Sequence, residues 1–113
     1  MACIFCKIAS GEIPAKKLFE DDKLVAFYDI QPQSPVHFLI IPKHHFASLN
    51  DLSADHVHLA GHILVTASNL ARETGIDQSG YRVVFNTRED GGQSVDHLHA
   101  HILGKRKFLW PPG

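Results

Sequence analysis

The chain has 113 residues, a length that predicts one domain (residues 1–113) with one modest core. Its formal net charge of −1 at pH 7 gives no reason to expect nucleic acid as a partner. Hydrophobic residues make up 44% of the chain, which excludes a disordered polymer, and no apolar run approaches the length of a membrane span.

The first part of the chain predicts a short helix and three strands. Residues 3–9 carry apolar side chains at helical spacing and predict a short helix or turn. Residues 16–20 and 24–30 predict two strands joined by a hairpin turn with acidic residues. A third strand over residues 37–41 follows a loop with two prolines, which no central strand would contain.

One long helix follows, and then a fourth strand over residues 81–86. Ser53 is a favourable N-cap, Asp55 favours the positive end of the helix dipole, and Gly75 is a natural stop. Strands around a single long helix with short links predict an antiparallel α+β sheet. The apolar stripe predicted to face the core consists of Val57, Ala60, Ile63, Leu64, Ala67, Leu70 and Ala71.

Nine histidines are unusual for this length, and three of them lie on the long helix. His56, His58 and His62 fall outside the apolar stripe, so we expect a solvated face. His58 and His62 are also four residues apart, a spacing that places a pair of metal ligands on one helix face.

A fifth strand near the C-terminus carries the other unusual histidines. Its alternation places His97, His99 and His101 on one face of the sheet, with the first and last about 13 Å apart. Their apolar neighbours Leu98, Ala100 and Ile102 then point to the opposite face, toward a core.

Imidazoles act as nucleophiles, as general acids and bases, or as metal ligands. Alternating histidines on a strand also hold zinc in metal hydrolases, but Asp96 points away from the triad and is a poor fourth ligand. The glycines and polar residues of 91–94 let backbone approach a ligand and offer hydrogen-bond donors. Donors beside imidazoles suit a phosphate-like anion, which favours phosphoryl or nucleotidyl transfer over hydride or acyl chemistry.

Residues 97–103 read His-Leu-His-Ala-His-Ile-Leu and resemble the signature of the histidine triad (HIT) superfamily. The resemblance covers nearly the whole chain and is to the HINT branch, whose members are purine nucleoside phosphoramidases. Besides the histidine run, it rests on residues 19–22, 26–30, 35–43, 91–95 and the terminal Trp-Pro-Pro-Gly of 110–113.

The resemblance implies the HIT fold, an α+β fold with one long and one short helix. Each subunit contributes a five-stranded antiparallel sheet, and a homodimer joins two of them into ten strands. The C-terminal tail, with Trp110, is then expected to reach toward the neighbour's active site.

The resemblance also assigns catalytic roles. It implies that His99 attacks the α-phosphorus and carries the nucleotidyl group, and that His101 orients the nucleophile or the phosphate. His97 and His37 match further active-site histidines, and Ser94 matches a residue close to the leaving group.

The nucleotide site implied by the resemblance has three parts. Asp29 matches the acid that holds both ribose hydroxyls. Phosphate contacts match Asn86, Gly92, Gln93 and Ser94 together with His99 and His101, and the base pocket matches Ile4, Phe5, Ile8, Phe27, Tyr28, Ile30 and Leu39.

A structural zinc site is expected at the N-terminus. Cys3 and Cys6 have the spacing of half a site, and a closed site needs two further N or S ligands. Resemblance to bacterial HIT proteins that bind zinc here implies His45 and His97 as these ligands, which removes His97 from acid–base work. The alternative is a pair of reduced, unliganded cysteines, because a disulfide is not expected in the cytosol.

The predicted activity is hydrolysis of P–N bonds in purine nucleoside 5′-phosphoramidates and adenylates through a covalent nucleotidyl-histidine, with no cofactor required for catalysis. His101 replaces the Gln of the nucleotidyl-transferase branch, which favours water as the second acceptor. One alternative is a dinucleoside polyphosphate hydrolase, which the terminal tail disfavours; another is a nucleotide-binding or scaffold protein with incidental catalysis. We expect a cytoplasmic protein without membrane contact, since no signal peptide is evident. The leaving group and the purine preference stay open.

Overall fold

The computed structural model describes residues 3–113, which form one antiparallel sheet with helices on both faces. Among these residues no helix is long and apolar enough to cross a lipid bilayer. The predicted α+β class and the five antiparallel strands are confirmed. The elements are helix α1 (Ile4–Ser10), strands β1 (Lys17–Glu20), β2 (Leu24–Tyr28) and β3 (Val36–Pro42), helix α2 (Val57–Glu73), and strands β4 (Tyr81–Phe85) and β5 (Ala100–Gly104).

The strands lie in the order β1-β2-β3-β5-β4, so β3 is central and the histidine strand β5 is its neighbour. The central strands β2 and β3 are buried on both faces, since successive side chains alternate between two cores. One core packs against α2 and contains Leu24, Ala26, Phe38, Ile40, Leu98, Ala100 and Ile102. The other packs against α1 and contains Phe5, Ile8, Val25, Phe27, Leu39 and Ile41.

Helix α2 begins later than its sequence signal indicates. Ser53 does act as a cap, but of a 3₁₀ helix at Ala54–His56, and regular α-helix starts at Val57. The predicted stop is confirmed, since Gly75 adopts a φ of +78° just after the helix.

The predicted apolar stripe of α2 is only partly correct. Ile63 and Leu70 are buried, whereas Val57 is 65% exposed and Leu64 is 53% exposed. Leu64 is rotated by about 100° from Ile63 around the helix axis, so it lies beyond the arc that faces the sheet.

The histidine segment departs from a regular strand in its first half. The predicted alternation is confirmed, because Leu98 and Ala100 enter the α2 core while the rings of His97 and His99 contact Phe5 of α1. The prediction of a strand through residue 97 is wrong, since β5 begins at Ala100. The Leu98 N–H bonds to the Phe46 carbonyl at 2.7 Å instead of joining a strand ladder, because the chain after β3 turns across this segment.

Candidate active site

A cavity of about 490 Å³ opens on the α1 side of the sheet, where the histidines face. Its walls are largely apolar, and Asp29, Ser94, His99 and His101 bring polar groups into it. All seven predicted base-pocket residues line this cavity: Ile4, Phe5, Ile8, Phe27, Tyr28, Ile30 and Leu39. Sequence reasoning missed Ile13, Pro14, Ala15 and Lys16, which belong to a loop with no local signal for a binding site, and Val95, which directly follows the predicted ligand loop.

His99 is buried and held in one orientation. Its Nδ1 lies 2.7 Å from the backbone carbonyl oxygen of His97. A carbonyl oxygen can only accept, so Nδ1 carries the proton and Nε2 keeps its lone pair. The Phe5 ring contacts the imidazole edge-on, with centroids 5.1 Å apart, and restricts its rotation. The result is a fixed imidazole whose Nε2 is a nucleophilic nitrogen.

A second chain of hydrogen bonds fixes the protons of His37 and His101. The Gln33 backbone N–H donates to His37 Nδ1 at 3.0 Å, so the proton of neutral His37 is on Nε2. That Nε2 lies 2.9 Å from His101 Nδ1 and donates to it. His101 therefore keeps its own proton on Nε2, on the side away from His37, where it is a hydrogen-bond donor beside His99.

Burial keeps these imidazoles uncharged at neutral pH. Desolvation lowers the pKa of His37, although the nearby Asp29 carboxylate opposes this effect. The pKa of His101 falls to about 4, because the ring is buried and because His99 and His37 disfavour a further positive charge. The cavity thus presents the Nε2 of His99 and an N–H from the neutral ring of His101.

Asp29 stands at the end of β2 at the mouth of the cavity. Its Oδ1 accepts the Gln31 backbone N–H at 2.8 Å, and its Oδ2 lies 3.5 Å from His37 Nε2. The carboxylate is thus oriented by its own loop and retains acceptor capacity for hydroxyl groups.

The four predicted metal ligands come together at the N-terminus of α1. The Cys6 Sγ lies 3.3 Å from His45 Nδ1 and 3.5 Å from His97 Nδ1, and Cys3 Sγ lies 3.3 Å from His97 Nδ1. The two Nδ1 atoms are 3.1 Å apart. A tetrahedral zinc ion, with bonds of about 2.0 Å to nitrogen and 2.3 Å to sulfur, would set such atoms about 3.3 to 3.8 Å apart.

The protonation of His97 suits a metal. Its Nε2–H donates to the Pro42 carbonyl at 2.8 Å, which leaves a lone pair on the Nδ1 that faces the cysteines. Hydrogen bonding of the distal nitrogen to a carbonyl is typical of metal-bound histidine. The donor set and its spacing therefore fit a structural zinc ion held by Cys3, Cys6, His45 and His97.

Asp29, His37 and His101 form a second compact group of potential ligand atoms, all within 4.8 Å of one another. The hydrogen bonds argue against a metal there. His37 accepts a backbone N–H on Nδ1 and so carries a proton on the Nε2 that a metal would need. Asp29, His37 and His101 are therefore better described as a chain of hydrogen bonds with defined proton positions than as a metal site.

The loop at residues 88–95 borders the cavity and is braced by side chains. Asn86 Nδ2 donates to the Gly91 carbonyl at 2.6 Å, and Gln93 makes three hydrogen bonds to backbone groups. Gly92 has a φ of +75°, in the region that favours glycine. Ser94 follows the turn and is exposed, and among the described residues its hydroxyl has no hydrogen-bond partner.

The helix histidines border a different cavity, of about 700 Å³, on the α2 side of the sheet. His58 is exposed, as expected. His62 is partly buried and lies 2.7 Å from the Asp21 carboxylate, a contact that the sequence pattern did not predict. Within residues 3–113, neither His58 nor His62 belongs to a convergent group of metal ligands.

Comparison with known proteins gives consistent matches along the chain. The family described as "Scavenger mRNA decapping enzyme C-term binding" matches residues 2–109. The "Purine nucleoside phosphoramidase" of Escherichia coli is 45% identical over 91% of this chain and 87% of that protein. "Adenylylsulfatase HINT1" of Arabidopsis thaliana is 46% identical over 97% of this chain and 76% of that protein.

Two further matches bear on metal binding and on the fold. The "14 kDa zinc-binding protein" of Brassica juncea is 46% identical over 97% of this chain and 98% of that protein. The crystal structure of a HIT family hydrolase from Legionella pneumophila superposes with a TM-score of 0.97 and 53% identity, covering 99% of this chain and 100% of that one.

Proposed function

Because the chain belongs to the histidine triad family, we propose that this hydrolase cleaves P–N bonds of purine nucleoside 5′-phosphoramidates and the mixed anhydrides of adenylates. Relatives named for a phosphoramidase and for an adenylylsulfatase support this substrate range. The observation that carries the proposal is the Nδ1–H of His99 bonded to the His97 carbonyl, which leaves Nε2 as a nucleophile at the cavity.

In the first step, His99 Nε2 attacks the α-phosphorus and a new P–N bond forms to the imidazole. The bond from phosphorus to the leaving group breaks, and its electron pair leaves with the amine nitrogen of a phosphoramidate, which takes up a proton from solvent. Covalent catalysis of this kind divides one difficult displacement into two easier ones. Ser94 is proposed to contact the leaving group from the loop side of the cavity.

In the second step, water attacks the nucleotidyl-histidine and the P–N bond to His99 breaks. The nucleoside monophosphate leaves, His99 Nε2 regains its lone pair, and the attacking water releases one proton to solvent. His101 is proposed to donate its Nε2–H to a phosphate oxygen, or to orient His99, throughout both steps. His37 supports this role, since its Nε2–H occupies His101 Nδ1 and so fixes which nitrogen of His101 is the donor.

The remainder of the cavity suits a nucleoside. Asp29 is proposed to accept hydrogen bonds from both ribose hydroxyls, because the Gln31 N–H orients its carboxylate and leaves acceptor capacity on both oxygens. The apolar wall between α1 and β2 is proposed to hold the purine, with Phe5 and Phe27 in edge-to-face contact at its base. Asn86 and the Gly92 backbone are proposed to lie beside the phosphate.

We propose that zinc binds at Cys3, Cys6, His45 and His97, where it would supply a cross-link and take no part in the reaction. Such a link would tie α1, which carries Phe5 and Ile8 of the cavity wall, to the segment that precedes β5. The link would also fix the position of the His97 carbonyl, and this carbonyl accepts the hydrogen bond that keeps the proton of His99 on Nδ1.

We propose a homodimer that joins two sheets into ten strands. In support, β4 is an edge strand that pairs with β5 alone among residues 3–113, and unpaired edges are usually covered. On α2, Leu64 and Val65 are 53% and 59% exposed, an apolar surface that a second subunit would bury. Sedimentation at micromolar concentration should give twice the 12.6 kDa chain mass; particles of single-chain mass would refute the dimer.

A substrate panel tests the proposed activity. Adenosine and guanosine 5′-phosphoramidates, an aminoacyl-adenylate and a diadenosine polyphosphate are compared, with His99→Ala as the inactive control. We expect the phosphoramidates and the adenylate to be cleaved at least about a hundredfold faster than the polyphosphate. Faster cleavage of the polyphosphate would favour the dinucleoside polyphosphate hydrolase, and no turnover of any of them would favour a nucleotide-binding protein.

A further inference from the structure

Gln93 directly precedes Ser94 and Val95, which line the candidate active-site cavity, but its own side chain bonds to backbone groups of the chain. Its Nε2 donates to the Ala47 carbonyl at 2.7 Å and to the Val95 carbonyl at 2.9 Å, and its Oε1 accepts the Arg88 backbone N–H at 2.9 Å. A carboxamide has two N–H donors, so both are in use. A phosphate oxygen accepts hydrogen bonds, and Gln93 has no donor left to offer without breaking one of these bonds.

The three bonds connect the start of this loop, its end and the distant Ala47. Arg88, at the start of the turn, has a φ of 58°, in the left-handed region that is unfavourable for a residue with a side chain. Its N–H is held by Gln93, and the Gln93 N–H in turn donates to the Arg88 carbonyl at 3.1 Å. The carboxamide thus closes the loop on itself across its base.

The bond to Ala47 anchors the closed loop to the rest of the site. Ala47 follows Phe46, whose carbonyl accepts the Leu98 N–H in the segment that leads to His99. The loop and the segment before the nucleophile are therefore fixed to the same stretch of chain. A shift of the carboxamide would change the distance between the loop and His99.

The groups that remain available for an anion follow directly after Gln93. Among residues 3–113, the backbone N–H of Ser94 and that of Val95 have no hydrogen-bond partner, and neither has the Ser94 hydroxyl. We infer that Gln93 is a positioning residue, which holds this loop so that the donors of Ser94 and Val95 face the phosphate, and that its side chain does not bind phosphate itself. The part of this inference that concerns phosphate binding rests on the proposed function.

The experiment uses the full-length protein with Gln93→Met, which keeps the length of the side chain and removes all three bonds. Gln93→Glu is the second variant, since its carboxylate still accepts the Arg88 N–H but cannot donate to the two carbonyls. Gln78→Met is the matched control, because Gln78 is exposed and, within the described part of the chain, its side chain bonds only to the neighbouring Asp77.

Amide hydrogen exchange without ligand tests the brace independently of any activity. We expect exchange at Arg88 to accelerate at least tenfold in Gln93→Met, to change less in Gln93→Glu, and to stay the same in Gln78→Met. Unchanged exchange at Arg88 in Gln93→Met would overturn the inference, whatever happens to the activity.

Binding of AMP and of adenosine tests the part that concerns phosphate binding. In Gln93→Met, AMP affinity should fall at least tenfold with adenosine affinity unchanged, and Ser94→Ala should weaken AMP binding less in this background than in the wild type. If the losses of AMP affinity in Gln93→Met and Ser94→Ala were additive, the positioning role of Gln93 would be overturned. Weaker AMP binding in Gln93→Met with unchanged exchange at Arg88 would also overturn it, because it would identify a direct contact between Gln93 and the ligand. Wild-type protein that binds neither AMP nor adenosine would refute the proposed function and the proposed phosphate contacts of Ser94 and Val95. The hydrogen-exchange result would still decide whether Gln93 holds the loop in place.

Discussion

Removal of the proposed zinc ion should loosen α1 and raise KM. The perturbation is Cys6→Ala, which deletes the sulfur that lies within 3.5 Å of both His45 and His97. In the wild type without metal, the sulfurs and imidazole nitrogens would lie in contacts of 3.1 to 3.5 Å. Burial raises the pKa of the Cys6 thiol, so weak S–H donors would be left to link them. A bound ion would coordinate all four ligand atoms, so its loss should be costly.

The expected magnitude follows from linkage. An ion present at a thousand times its Kd stabilises the folded protein by about 4 kcal/mol. For a chain of this size, each kcal/mol corresponds to about 4 °C in Tm, which gives a fall of about 15 °C for Cys6→Ala or for chelation. Because α1 contributes Phe5 and Ile8 to the cavity, KM for a phosphoramidate should rise, while kcat should fall less.

The assay combines metal analysis of protein purified without a histidine tag with thermal unfolding and steady-state kinetics. His44→Ala is the matched control, since His44 is adjacent to His45, is exposed, and lies outside the ligand cluster. We expect one zinc per chain in the wild type and in the control, and almost none in Cys6→Ala. Fewer than about 0.2 zinc ions per wild-type chain, with no change in Tm on chelation, would refute the reasoning about ligand geometry.

Three further predictions concern the proposed catalytic site. His99→Ala should lower kcat by at least about a thousandfold while nucleotide affinity stays within about tenfold, measured by single turnover and by calorimetry; trapped phosphorus on His97 or His101 would contradict the assignment. The His101 pKa of about 4 in the folded protein lies below its ordinary 6.5, so as the pH falls His101 is protonated in the unfolded chain before it is protonated in the folded one. The contribution of His101 to the free energy of unfolding should therefore decline between pH 6.5 and 4. Tm measured against pH should therefore fall more steeply in the wild type than in His101→Gln, and parallel curves would contradict the shift. Gly91→Ala should reduce kcat/KM far more than Gly92→Ala, because a Cβ at position 91 would lie 2.5 Å from the Thr87 carbonyl oxygen. A Cβ at position 92 meets nothing within 4 Å, so that substitution costs only about 1 to 2 kcal/mol of backbone strain. Equal losses of kcat/KM in the two variants would show that the space around Gly91 does not matter.

Local patterns in the sequence determine much of this protein, because they reflect backbone periodicity. Alternation with a period of two places the apolar Leu98, Ala100 and Ile102 in one core and the three histidines opposite them, and this holds even where the regular strand is interrupted. The Cys-x-x-Cys spacing likewise indicates half of a metal site. The histidine run carries the resemblance that implies His99 as nucleophile and His97, with His45, as the remaining ligands. These signals depend on residues that are close in the chain.

The tertiary structure decides which protons and partners each group has. No pattern around His99 indicates that its Nδ1 meets the His97 carbonyl, and none around His37 indicates that the Gln33 N–H sets the tautomer of His101. The inward turn of Gln93 toward Ala47 joins residues 46 positions apart. Such contacts depend on how distant segments pack, and hydrogen bonds discriminate between positions that differ by less than an ångström, so periodicity and composition do not encode them individually.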